Sequence, residues 1–164
     1  LGSRVRIPSP APVKIAQDMM KIFFIILVFI FSKTAVLEDF ISIKNITDKA
    51  NLRKGPGDWY PIKWIIETPN LPLKILEKGD RFNKVELHDG TQGWLSKVLT
   101  SKKNNLIVLN DTFLEDKKGT VKAKVLKNNI IKDFNCNLDK KPNFCKVNIQ
   151  KINGFIDKTF LWGH

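Results

Sequence analysis

Histidine and cysteine are nearly absent from this 164-residue chain, which has two of each: His88 and His164, Cys136 and Cys145. That scarcity removes most of the side chains from which metal centres and acid–base catalysts are built. Neither a CxxC pair nor a histidine cluster accompanies the cysteines, so no zinc site is expected, and no constellation of residues calls for a cofactor. His88 stands in an Asp-Gly turn and His164 at the chain end, where rigid neighbours would not hold either as a general base. No Ser-His-Asp or Cys-His arrangement is present, and the adjacent carboxylates Glu115 and Asp116 run into Lys117 and Lys118, the mark of a solvated loop. An enzyme is therefore not expected. Long apolar runs are missing too. The longest, Ile22 to Phe31, is ten residues of Ile, Leu, Val and Phe, half of the roughly 20 needed to cross a membrane as a helix. No window of about 11 residues carries a convincing helical stripe, and the nearest to one, Val121 to Leu126, is short and β-branched.

What is there begins with that apolar run. Lys21 precedes it, Ser32, Lys33 and Thr34 follow it, and Ala35 offers a small residue for cleavage, so residues 19–35 read as a secretion signal helix. Lys33 occupies a place where signal peptidases prefer a small side chain, which keeps an uncleaved membrane anchor open as the alternative. Residues 1–18 fit neither a signal nor a domain. Met19 and Met20 are natural starts, and residues 2–12 also resemble the translated end of a transfer-RNA gene; a disordered basic leader is the other reading.

The whole chain carries a net charge of +12. Residues 1–35 hold five of the 28 basic and one of the 16 acidic residues, so the remainder keeps 23 against 15 and a charge of +8. Such a surface attracts anionic glycans, acidic lipid headgroups or nucleic acid. The lysines are scattered rather than blocked, however, and a lysine-, asparagine- and isoleucine-rich composition of an AT-rich genome gives the same total.

From Phe40 onward the chain is a series of short β-branched and aromatic runs, among them Ile41–Ile43, Leu73–Leu76, Lys84–Leu87, Leu106–Leu109 and Lys146–Ile149, separated by Gly, Pro, Asn and Asp. Such spacing predicts an all-β fold. Residues 82–99 (FNKVELHDGTQGWLSKVL) align with residues 144–161 (FCKVNIQKINGFIDKTFL), the second copy having one residue fewer in its turn. Each copy reads as a hairpin whose Gly-aromatic-aliphatic strand puts Trp94 or Phe155 on a buried face. Two copies about 60 residues apart predict two similar domains, 40–100 and 106–164, joined by the polar linker Ser101–Asn105. Cys136 and Cys145 flank a polar stretch, Asn137–Asn143, that suits a hairpin turn; on facing strands in an oxidising compartment they can close a disulfide, and in the cytosol they would be free thiols.

The most informative stretch is residues 50–66, ANLRKGPGDWYPIKWII. Gly55-Pro56-Gly57 makes a sharp turn, and Trp59, Tyr60 and Trp64 follow within a few residues, with Pro61 biasing Tyr60 toward extended backbone. The series Asn51-Leu52-Arg53-Lys54-Gly55-Pro56-Gly57, then Tyr60-Pro61, then Gly93-Trp94-Leu95, resembles the bacterial SH3-like (SH3b) domain family in order and separation. The second segment lacks the Asn-x-Arg-x-Gly-Pro-Gly motif, and its resemblance rests on the repeat, on the cysteine pair and on the ending Leu161-Trp162-Gly163, which are similar to those of exported proteins with paired domains of this family. The resemblance implies two tandem small SH3-like β-barrels after the signal helix, and a non-catalytic protein of the cell envelope that recognises peptidoglycan or its peptide stems.

Arg53, Asp58, Trp59, Tyr60 and Trp64 are the candidate ligand-binding residues: aromatic faces stack on sugars or peptide backbone, and an arginine grips a carboxylate with two parallel hydrogen bonds. Each has a structural reading as well. Trp94 reads as core, Gly55 and Gly57 as turn formers, Trp64 as either core or surface, and Arg53 as a partner for Asp58 or a loop cap. The expected partners are a cell-wall glycan or peptide, or an envelope protein held by a scaffold or anchored adaptor. Export argues against nucleic acid, although small basic β-barrels with aromatics hold single strands elsewhere.

Overall fold

The computed structural model describes residues 38–164; the leader expected at 1–18 and the signal helix expected at 19–35 lie outside them. The described residues are all-β, with strands interrupted only by turns and two 3-10 segments. Strands β1 (Phe40–Ile43), β2 (Ala50–Arg53), β3 (Ile62–Ile66), β4 (Pro72–Lys78), β5 (Phe82–Glu86), β6 (Gln92–Ser96) and β7 (Thr100–Ser101) form one sheet in the order β3-β2-β6-β5-β4-β1-β7. Strands β9 (Thr112–Glu115), β10 (Val121–Val125), β12 (Asp133–Asn135), β13 (Phe144–Ile149) and β14 (Ile152–Asp157) form a second, in the order β10-β9-β14-β13-β12. Strands β8 (Leu106–Val108), β11 (Ile130–Ile131) and β15 (Leu161–Trp162) make a small third sheet, β11-β8-β15. The segment nearest a helical pattern is thus a strand, β10, as its β-branched residues favour.

The two halves repeat one plan. Hairpin β5–β6 runs into a 3-10 turn, Lys97–Leu99, and then β7; hairpin β13–β14 runs into a 3-10 turn, Lys158–Phe160, and then β15. The turns differ as the missing residue requires. In the first, Gly90 takes a φ of 82°, and Asp89 accepts a hydrogen bond from the Thr91 amide at 2.9 Å. In the second, Gln150 and Lys151 both have positive φ, which suits a tight two-residue hairpin. Gly93 and Gly154 occupy the same place: a Cβ on Gly93 would come 2.6 Å from Leu52 Cγ, and one on Gly154 would come 2.5 Å from Leu114 Cγ. The buried leucine of the neighbouring strand fills the space where a side chain would stand, and that fixes the parity of the strand. Leu95 and Ile156 then point inward, and Trp94 and Phe155 are half-buried on the opposite face. The expected core positions of the two aromatics are corrected accordingly: size does not decide which face is buried when a glycine and a leucine already interlock beneath.

Two hydrophobic cores result. The first gathers Ile41, Ile43, Leu52, Leu73, Val85 and Leu95; the second gathers Leu114, Val125, Val147 and Ile156. β8 serves both. Leu106 and Val108 belong to the second core, whereas Ile107 between them belongs to the first, where Ile130 and Trp162 also pack. Alternation along one strand therefore makes the small third sheet a wall common to the two cores, and residues 38–164 cluster as one compact unit. Trp162 completes the seam, its ring edge-on to Phe40 at 5.1 Å between centroids. The segment read as a linker is bound into this seam. Ser101 pairs with Ser42 in the first sheet, Asn105 is buried and donates from Nδ2 to the Asn70 carbonyl at 2.8 Å, and Asn104 bonds the Gly163 carbonyl. The amide groups of Asn104 and Asn105 thus bond backbone carbonyls at the junction, while Lys102 and Lys103, between them and Ser101, face water.

Cys136 and Cys145 form a disulfide. β12 and β13 are antiparallel partners with Asn135 opposite Lys146, so the next residues along, Cys136 and Cys145, meet across the end of the pair. Cys145 is fully buried in the second core.

Candidate functional site

The site is built on the loop that leaves β2 and returns as β3. The Lys54 amide donates to the Pro61 carbonyl at 3.0 Å and closes the loop, and inside it the Tyr60 amide donates to the Gly57 carbonyl at 3.2 Å. Gly55 and Gly57 do more than turn the chain. The Tyr60 ring lies directly over Gly55, and a Cβ on Gly57 would come 2.6 Å from the Trp59 ring. The bare backbone is thus the floor on which both rings rest, which is why the motif needs glycine on either side of Pro56. The two rings are 5.7 Å apart between centroids and tilted by 34°. Trp59 keeps 77% of its surface exposed, so this indole is offered to solvent instead of serving the core.

Charged groups flank the pair. Arg53 Nη1 donates to the Tyr60 carbonyl at 2.8 Å, so the guanidinium caps the loop, while its Nη2 stands 3.9 Å from the Asp58 carboxylate. Asp58 in turn accepts from Arg81 Nη2 at 3.4 Å. Arg81 belongs to the turn before β5 and carries no motif signal, so it escaped the sequence reading; only the fold brings it to Asp58. Asp58 lies between the two guanidiniums; Arg53 is fixed by the Tyr60 carbonyl, whereas Arg81, largely exposed and only loosely paired with Asp58, is the cation free to turn to a carboxylate or carbonyl. Four of the five expected residues, Arg53, Asp58, Trp59 and Tyr60, therefore come together.

The fifth does not. Trp64 pairs with the buried Leu52, on the face opposite to Arg53, and lines a separate cleft of about 400 Å³ with Ile65, Glu67, Leu87, His88 and Ile107. The odd residue Lys63, squeezed out as a bulge between Ile62 and Trp64, separates the two faces. Of the two readings open for Trp64, the surface one holds, since more than half of its area is exposed. His88 is better placed than its turn led us to expect. Its ring lies edge-on to Trp162 at 6.3 Å, and its Nδ1 is buried with no hydrogen-bond partner. Beside it Asp89 is an anion at neutral pH, the amide of Thr91 holding its carboxyl below the ordinary 3.8. Among the described residues, no group of three or more His, Cys, Asp or Glu side chains converges to hold a metal ion.

Residues 47–102, from just before β2 to just after β7, match the bacterial SH3 domain family, and the Gly-Pro-Gly loop, the Tyr60-Pro61 step and the Gly93-Trp94-Leu95 strand all lie within the match. Residues 47–102 are a bacterial SH3 domain. None of the curated proteins matches the chain. Among solved structures, NlpC1 from Trichomonas vaginalis is similar at 18% identity over 81% of this chain and 48% of its own, and NlpC2 from the same organism at 16% identity over 80% and 50%, each with a TM-score of 0.38. The chain thus spans about half the length of these two proteins. The SH3 domain supplies the exposed ring pair and its charged flank; the second half, which lacks the Gly-Pro-Gly loop, has no counterpart to that ring pair.

Proposed function

We propose that this chain is a non-catalytic binding protein of the bacterial cell envelope, which holds peptidoglycan or its peptide stems at the Gly-Pro-Gly loop of its SH3 domain. The observation that carries the reading is the exposed Trp59–Tyr60 pair seated on Gly55 and Gly57 beside the Arg53–Asp58–Arg81 cluster. A rigid aromatic face and an adjacent guanidinium suit a ligand that is part sugar or peptide plane and part carboxylate, the composition of a peptide stem. The Cys136–Cys145 disulfide and the SH3 domain are compatible with a site outside the cytoplasm, where the apolar run at 22–31 would deliver the chain. Residues 106–164 serve in this reading as a second SH3-like copy that has given up the loop while keeping the hairpin, the interlocked glycine and the closing strand.

The test is co-sedimentation of purified protein with insoluble peptidoglycan. The native chain is expected in the pellet, and Trp59→Ala/Tyr60→Ala, which removes two exposed rings, is expected in the supernatant with an unchanged melting temperature. Equal retention of both proteins would overturn the assignment of the loop.

A further inference from the structure

We propose that the chain carries a second kind of site, present twice: a pair of equivalent cationic grooves that hold acidic sugar units of an anionic glycan. The grooves lie on the outer faces of the two hairpins and use none of the exposed ring pair. In the first, Lys84 of β5 stands directly opposite Trp94 of β6; in the second, Lys146 of β13 stands directly opposite Phe155 of β14. The third member is a bulge residue in both. Lys63 is the extra residue between Ile62 and Trp64, and Lys122 is the extra residue between Val121 and Ala123. A bulge re-aims the side chain it carries, and both lysines turn the same way. Lys63 Nζ donates to the Gln92 carbonyl at 3.2 Å and Lys122 Nζ donates to the Asn153 carbonyl at 3.1 Å, each at the residue just before the interlocked glycine.

The result is one half-buried ring with two ammonium groups about it, in a groove of about 430 Å³ in the first half and about 420 Å³ in the second. The first groove adds Arg53 and Lys54 and has no acid in its lining; the second adds Lys117 and Lys118, together with Asp116. Asp116 is largely spoken for, since its carboxylate accepts from the Lys118 and Thr120 amides at 2.7 and 2.9 Å. Glu77, opposite Lys84, and Glu115, opposite Phe155, lie outside the linings. In the second half a further cation, Lys141, sits 4.8 Å above the Phe155 ring.

Repetition of two lysines about one aromatic ring on two halves whose other surface residues differ points to a ligand that itself repeats. The charge sets its sign, and a single ring between lysines suits a sugar bearing a carboxylate or phosphate. Single-stranded nucleic acid fits less well. It is held by exposed faces on which successive bases stack, whereas Trp94 and Phe155 are each half-buried and stand one to a groove. The disulfide in the second half also suits a compartment of glycans.

The experiment uses the whole chain and three probes: polygalacturonate, neutral dextran, and oligothymidylate matched in charge to the polyuronate. Lys63→Gln/Lys84→Gln and Lys122→Gln/Lys146→Gln change exposed or half-exposed side chains and should melt as the native protein does; Lys102→Gln/Lys103→Gln removes the same charge elsewhere. We expect polygalacturonate to bind and dextran not to. Each groove pair should weaken binding roughly tenfold at low salt, the effect shrinking as salt is added, while the control pair leaves it within about twofold. Equal losses in the control and groove pairs, equal binding of dextran, or tighter binding of oligothymidylate than of polygalacturonate would each overturn the proposal. Trp59→Ala/Tyr60→Ala should leave polyuronate affinity intact, so this inference and the loop site fail separately.

Discussion

Ile107→Ala should destabilise the SH3 domain, although Ile107 lies outside the segment that matches the family. The side chain is 2% exposed and sits in the first core, while its neighbours Leu106 and Val108 fill the second. Removing it leaves a void that Ile130 and Trp162 cannot close without moving a strand tied to both cores, and the cost of such a truncation is about 2–5 kcal/mol. Against the roughly 5–15 kcal/mol by which a domain of this size is stable, that is a large fraction. Urea unfolding should give one transition shifted to lower denaturant, followed identically by far-ultraviolet circular dichroism and by tryptophan fluorescence. Three of the four tryptophans, Trp59, Trp64 and Trp94, report on the first half. A first half that melts as before while the second melts early would show that the wall between the cores is not shared.

Reducing the Cys136–Cys145 bond should have the next largest effect. The bridge closes a short loop, the cysteines standing nine positions apart, and restricting a loop of that length in the unfolded chain is worth about 2.5–3 kcal/mol. Cys145 is wholly buried against Val147 and Ile156, so the reduced thiol also remains in an apolar setting. Urea titrations with and without a strong thiol reductant should differ by about that amount, and Cys136→Ala/Cys145→Ala should lose at least as much. Identical midpoints with the bond intact and reduced would contradict the clamp.

Much of this architecture is legible in the residues, and the exceptions have physical causes. The hairpin repeat, the all-β content and the cysteine pairing follow from patterns within a few residues of one another. Trp94 does not, because its face is set by Leu52 on another strand filling the space over Gly93. Trp64 is displaced from its expected companions by one bulged residue, Lys63, which no alternation rule anticipates. The common wall has its own signature in the residues: Leu106 to Leu109 is apolar without alternation, as a strand buried on both faces must be. Asn105 looks like linker because it is polar, yet it is buried, its amide nitrogen meeting the Asn70 carbonyl on another part of the chain. Of the loop site, the ring pair and Arg53 were visible in the motif, while Arg81 is brought in by the fold alone.

The loop's role as a ligand seat is open to direct observation by amide and indole nuclear magnetic resonance during titration with a soluble muropeptide. The account predicts saturable shifts at the Trp59 indole and at the amides of Gly57 and Tyr60, with the second half unmoved. Saturable shifts elsewhere with those three signals stationary, or no shifts at concentrations where intact peptidoglycan is bound, would contradict it.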